Sequence, residues 1–237
     1  MAWSCPFHSI KHELDALQSW HVNLGFNLDG FTHGQLERAV WGIKCTHGLH
    51  PAASKLPITL PLLQAILKQL QSMPLSSWDH QVIAVAFAVS FACFLQCGKV
   101  AWNQPSPTQL LVRSVMWQMD YAILLLPASK TDPFRLGTLL VVPKVGRVEC
   151  PYAMLHLLCP TIHRPDAPLF RLHDGYKLLT HVTFLQHLCL ALSHLRLDTS
   201  QYVGHSFCQG AATWAALQGV DTDTIKLLSQ WTSDCYH

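Results

Sequence analysis

The stretch VGHSFCQGAA, Val203 to Ala212, reads as a turn that delivers a histidine and then opens a helix of small residues. A group that handles phosphate asks for His-x-x-Arg at such a place, because residues three apart share one face of a helical turn. The guanidinium fork would then grip two oxygens at once. His205 is present, but three residues on stands Cys208, a weak, uncharged S–H donor. Other side chains of chemical interest are Gln96 in FLQCGKV, Lys130 in SKTDPFRLG, and Trp231 and Tyr236 in LLSQWTSDCY. Taken singly, most have a plain structural reading. Lys130 is then a solvated turn lysine, His205 a satisfied histidine, Trp231 a packing residue and Cys208 a half-buried thiol at a helix start. A Cys–His nucleophile pair needs a third group to orient the base, and none is evident beside Cys208 and His205.

Fifteen histidines and nine cysteines invite a zinc reading, above all at Cys5, His8 and His12 and at Cys45, His47 and His50. Structural zinc takes paired ligands from two arms, usually with a C-x₂₋₄-C knuckle, and neither cluster has one. No metal or cofactor is expected. The cysteines are scattered through apolar segments, as in reduced, intracellular proteins. MAWSCPFHSIKHE has no apolar core after a basic start, so no signal peptide is expected. The net charge is only +2, compatible with a nucleic-acid partner but short of a strongly basic footprint.

These side chains need elements to hold them. Residues 10–42 carry apolar residues at helical spacing, and the Pro- and His-containing THGLHPAASKLP that follows reads as a linker. Thr59 then caps a helix with Pro61 in its first turn, running to about Gln71. Ser77 is the expected cap of the next helix, which runs to Cys97. Its uncharged run, Gln81 to Gln96, is too short for a membrane span and suits a helix buried on all sides. SVMWQM, YAILLLP and TLLVVP read as strands, and the Asp-Pro and Gly of ASKTDPFRLG as a turn between the last two. Helices resume at PYAMLHLLC, at 178–195 and at 208–217, and Asp221 caps a last one through Leu228. The fold class expected is mainly α with one small antiparallel sheet, an α+β arrangement.

Four separated stretches, FLQCGKV, SKTDPFRLG, YVGHSFCQGAA and LLSQWTSDCY, together resemble the tyrosine recombinases of phage-integrase type. The similar branch is that of Crypton-like mobile elements, which reads FLR-x-GE, SKTDPFR-x-G, GHSFR-x-GAA and G-R-W-S-S-D-x-Y-x-x-Y in these places. The resemblance implies an integrase-like catalytic domain over residues 57–237. It also implies a partial helical core-binding domain over 1–52, carried by LQSWHVNLGF and WGIK. It further implies phosphoryl transfer to a tyrosine without metal or cofactor, double-stranded DNA as partner, a homo-oligomer on that DNA, and a nuclear location.

Carried over residue by residue, Lys130 is the lysine that protonates the leaving oxygen, His205 the histidine, and Trp231 the His/Trp position. Gln96 and Cys208 stand where the family has its two arginines, and Lys99 where it has an acid. Tyr236 matches the first tyrosine of the last motif, and the nucleophile falls three positions later, past His237. Catalysis by this chain is therefore not expected. Gln96, Cys208 and Lys99 are each one C→T or G→A change from the family residue. Composition agrees: seven Arg stand against 15 Gln, nine Cys and eight Trp. A mobile-element copy decayed by cytosine deamination accounts for this pattern. The alternatives are a domesticated DNA-binding module that does not cleave, a relic without function, and a zinc-dependent interaction protein.

Overall fold

The computed structural model describes residues 7–47, 55–127, 136–147, 149–173 and 175–229. Two compact units emerge, Met1–Ser54 and Lys55–His237. The first contains α1 (Phe7–Leu24), the single turn α2 (Asp29–Thr32) and α3 (Gly34–His47). His21 on α1 receives the edges of Phe26 and Phe31, with centroids 5.5 and 5.0 Å away. No described residue of this unit is fully buried. Trp20, Phe26 and Trp41 stay more than half exposed.

The second unit begins with α4 (Leu60–Gln71) and α5 (Ser77–Ala92). Thr59 caps α4 as its sequence predicts, its hydroxyl accepting from the Leu62 N–H at 3.4 Å, with a proline in the first turn. The cap of α5 is Ser76, not Ser77: the Ser76 hydroxyl accepts from the Asp79 N–H at 3.0 Å. Either serine could cap by its own chemistry, and what packs behind the helix start decides between them. With Ser77 inside the helix, the Trp78 indole N–H reaches the Arg171 carbonyl at 2.7 Å, and the Asp79 carboxylate accepts from the His173 N–H. Nearly every residue from Asp79 to Phe91 is buried. This is the helix without a polar face that the uncharged run predicts.

The helix stops at Ala92 rather than Cys97. Phe94 takes φ of 55°, the Phe94 N–H returns to Phe91 O, and the Leu95 N–H returns to Ser90 O at 2.8 Å. That closing pattern satisfies the last carbonyls and normally uses glycine. Here a partly buried phenylalanine fills the left-handed position.

Three antiparallel strands follow, β1 (Val115–Trp117), β2 (Tyr121–Leu126) and β3 (Thr138–Pro143), in sheet order β1-β2-β3. Register pairs Met116 with Ile123 and Ile123 with Val141. Ala122, Leu124, Leu140 and Val142 point into the core, and Leu139 and Val141 lie on the open face. After α6 (Pro151–Leu158) comes a second, two-residue ladder, β4 (Arg171–Leu172) with β5 (Lys177–Leu178). The chain 178–195 is therefore not one helix. Lys177 and Leu178 pair with a strand too short to leave a periodic signature, and α7 runs only His181–His194. α8 (Ser206–Leu217) and α9 (Thr222–Ser229) complete the described chain, with the Asp221 carboxylate accepting from the Thr224 N–H at 2.9 Å. No described helix is long and apolar enough to cross a membrane.

Three buried phenylalanines join α5, α7 and α8. Phe87 lies 4.8 Å from Phe184 and 5.1 Å from Phe207, and Phe184 and Phe207 are 5.4 Å apart. The segment before α4 lies against the start of α8, with Ile58 N–H to Ser206 O at 2.8 Å. A Cβ on Gly210 would meet Ile58 O at 1.8 Å, so only glycine fits there.

In urea titrations Ser76→Ala is expected to lower stability by about 1 kcal/mol, and Ser77→Ala by a few tenths at most. Gly210→Ala is expected to lower it by about 3 kcal/mol or more, since the obstacle is backbone and cannot rotate away.

Candidate phosphate-binding site

Gln96 and His205 flank one hydrogen bond. Beyond the closing turn of α5, the chain extends through Gln96 (φ −73°, ψ 149°) and tightens into a 3₁₀ turn at Cys97–Lys99. The Cys97 N–H donates to the carbonyl of Gly204 at 3.3 Å. The two segments touch because position 204 has no side chain: a Cβ there would lie 2.1 Å from Cys97 Sγ. Both flanking side chains, Gln96 and His205, are exposed, and the residues beneath them, Cys97 and Gly204, are buried. Two polar groups from separate parts of the chain are thus presented at one place on a rigid floor.

The floor is held from below. Ser206 Oγ accepts from the Val203 N–H at 3.0 Å, fixing the turn that delivers His205. The Gln209 N–H returns to His205 O at 3.0 Å and begins the ladder of α8. Cys208 shares this neighbourhood but not the surface. It is fully buried, its S–H donates to His205 O at 3.0 Å, and burial pushes its thiol up to about 11. Burial does the same to Cys97, also to about 11. The expectation of a half-buried Cys208 is corrected to full burial, because the small thiol folds back on its own turn where a long side chain would have to extend outward. Both thiols stay protonated and neutral far above neutral pH. Desolvation also pushes the Lys99 amine down.

Of the residues that the sequence singles out, Gln96, His205 and Cys208 are brought together. Lys130, Trp231 and Tyr236 lie outside the described residues. Two further residues belong to the neighbourhood without any motif pointing to them. His181, the first residue of α7, places Nε2 3.7 Å from where a Cβ on Gly204 would lie. Its N–H donates to Asn103 Oδ1 at 3.3 Å. The Thr180 cap, which accepts from the Thr183 N–H, marks the helix start in the sequence but not its neighbour in space. Among the described residues no three His, Cys, Asp or Glu side chains gather as a metal site. Of the two cysteine–histidine clusters considered for zinc, Cys5 and His50 lie outside the described residues. Chemically, the arrangement offers exposed imidazole and amide groups to an anion.

No protein-family model matches the sequence, and no curated protein matches it. Solved structures do match the fold. The XerH site-specific recombinase bound to difH substrate, in a pre-cleavage complex, superposes with a TM-score of 0.57 at 14% identity, covering 76% of this chain and 48% of that one. The Tn1549 transposon integrase in complex with transposon right end DNA gives 0.53 at 11% identity, covering 97% and 80%. The lambda integrase dimer bound to a COC′ core site gives 0.51 at 13% identity, covering 94% and 61%. This chain spans about half the length of the XerH chain. The α+β fold is that of tyrosine recombinase catalytic domains.

Alkylation of the native protein with iodoacetamide at pH 8 should modify exposed Cys45 and spare Cys97 and Cys208, read by peptide mass spectrometry. A thiol with a pKa of about 11 is only about one part in a thousand thiolate at that pH, and burial shields it further. In urea all three should react.

Proposed function

We propose that this chain is a tyrosine recombinase-like protein that binds duplex DNA without cleaving it. The observation that carries this reading is the pairing of Gln96 with His205 across the Cys97–Gly204 bond, on a fold shared with recombinases captured on DNA. Gln96 and His205 stand on neighbouring segments, as a phosphate-seating frame requires. The two positions that would grip the phosphate with guanidinium groups hold a neutral amide and a buried neutral thiol.

The physical case concerns charge. In phosphoryl transfer negative charge builds on non-bridging oxygens, and planar bidentate cations answer it best. Gln96 offers one uncharged N–H pair, and Cys208 directs its S–H to a backbone carbonyl instead. Losing one oxyanion donor typically lowers a rate by about 10²–10³. Two such losses leave no useful cleavage. What remains is a binding surface of His205, His181 and Gln96, to which Lys130 and Trp231 are assigned by their motifs. By its motif Tyr236 matches the first tyrosine and not the nucleophile.

In this reading residues 1–52 are a partial core-binding domain, residues 57–237 the integrase-like domain, copies of the chain assemble on DNA, and the protein works in the nucleus. The Crypton-like motifs and the excess of Gln, Cys and Trp over Arg favour a mobile-element origin with loss of catalysis. Binding should be weak, because a net charge of only +2 offers few cations to the phosphates.

An electrophoretic shift on duplex DNA should give affinity in roughly the micromolar range at low salt, falling steeply between about 50 and 200 mM salt. A nicked suicide substrate should yield no covalent adduct. The double variant Gln96→Arg, Cys208→Arg should steepen the slope of log affinity against log salt by about one to two. No shift at any salt, or an adduct lost in Tyr236→Phe, would overturn the reading.

A further inference from the structure

A cavity of about 290 Å³ has neither Gln96 nor His205 in its walls. It opens between α4, the end of α5, the chain after β3, and α8. Its walls include Leu63, Phe91, Phe94, Ala211 and Trp214, so three aromatic rings meet aliphatic carbon around one space. One wall differs in kind. Glu149, 7% exposed, brings a carboxylate into this apolar surrounding.

One oxygen of that carboxylate is engaged and the other is not. The Gln64 side-chain amide donates to Oε1 at 3.0 Å, and no described group donates to Oε2. The other ionisable residue on the wall, Arg147, is exposed and makes no ion pair with Glu149 among the described residues. Because Oε2 is not among the buried atoms left without a partner, it keeps contact with open space and can accept from a group that enters it. The carboxylate does not sit there to close the core, because the space beside it is open. An apolar chamber with one oriented polar group is the usual plan of a small-ligand site, and this volume lies at the lower end of such sites.

We propose that this cavity binds a small organic cation with an aromatic or branched aliphatic body and a primary ammonium group. The ammonium donates to Oε2 of Glu149, replacing water there with a charge-assisted hydrogen bond. The apolar body displaces water from Phe91, Phe94 and Trp214, whose ring faces also attract a cation. An anion of the same shape is repelled by Glu149, and a neutral alcohol gains the walls but not the charge. The cavity shares no lining residue with Gln96, His205 and His181, and its test does not depend on DNA binding.

The test uses the full chain, ¹⁵N-labelled, titrated with phenethylammonium chloride, 2-phenylethanol or sodium phenylacetate and followed by amide chemical shifts. Phenethylammonium should shift the amides of Ala88, Ala211 and Trp214 saturably, with 2-phenylethanol at least about tenfold weaker, as expected for losing a charge-assisted hydrogen bond. Phenylacetate should leave these amides unmoved. Glu149→Gln should weaken the ammonium about tenfold and leave the alcohol unchanged, and the unchanged alcohol titration shows that the variant's cavity is intact. If Glu149→Gln does not fold, Phe94→Ala serves instead, since it removes an aromatic wall and should weaken both ligands. No shift with phenethylammonium, equal affinity for amine and alcohol, or an amine affinity indifferent to Glu149→Gln would each overturn the proposal.

Discussion

A helix with no polar side can exist in water only if other elements surround it, and α5 imposes that requirement on everything after residue 55. From Asp79 to Phe91 it has almost no exposed position. Helices α4, α6 and α8 and strand β3 therefore pack round it, and α7 joins through Phe184. The triangle of Phe87, Phe184 and Phe207 is where three of these helices meet. A buried phenylalanine truncated to alanine typically loses about 3–5 kcal/mol, so each corner holds a large part of a small domain's net stability.

The frame around Gln96 and His205 inherits its rigidity from this packing. α5 ends by turning through Phe94, and three residues later, at Cys97, the chain meets the turn that opens α8. Glycine at 204 and at 210 lets backbone approach where any side chain would block it. None of these contacts uses the chemistry of the side chains on the surface above. The fold rests on different atoms from those the Gln96 and His205 side chains expose.

The first unit shows the opposite balance. Its helices gather aromatic residues around His21 yet leave no described residue fully buried, and Trp20, Phe26 and Trp41 keep more than half their surface in water. A unit of this size buries too little apolar area to be more than marginally stable by itself.

Local chemistry alone determined much of this protein. Thr59 and Asp221 cap their helices because a side-chain oxygen two or three residues ahead of a free N–H needs no help from elsewhere. The run 81–96 declared a fully buried helix by lacking charge, and three β-rich segments declared the sheet. The motif around His205 announced a helix-opening turn. What the sequence left open was decided by partners distant along the chain. Ser76 prevails over Ser77 because Trp78 and Asp79 must meet Arg171 and His173. Lys177 and Leu178 are strand because Arg171 and Leu172 pair with them. Gln96 stands beside His205 only because Gly204 admits Cys97, and His181 joins them with no motif of its own. Cys208, placed by its motif on the reactive face, is buried because a short thiol finds its nearest acceptor inward. Spacing along a chain fixes which residues share a turn, whereas which turns share a surface depends on shape and burial that only the folded core supplies.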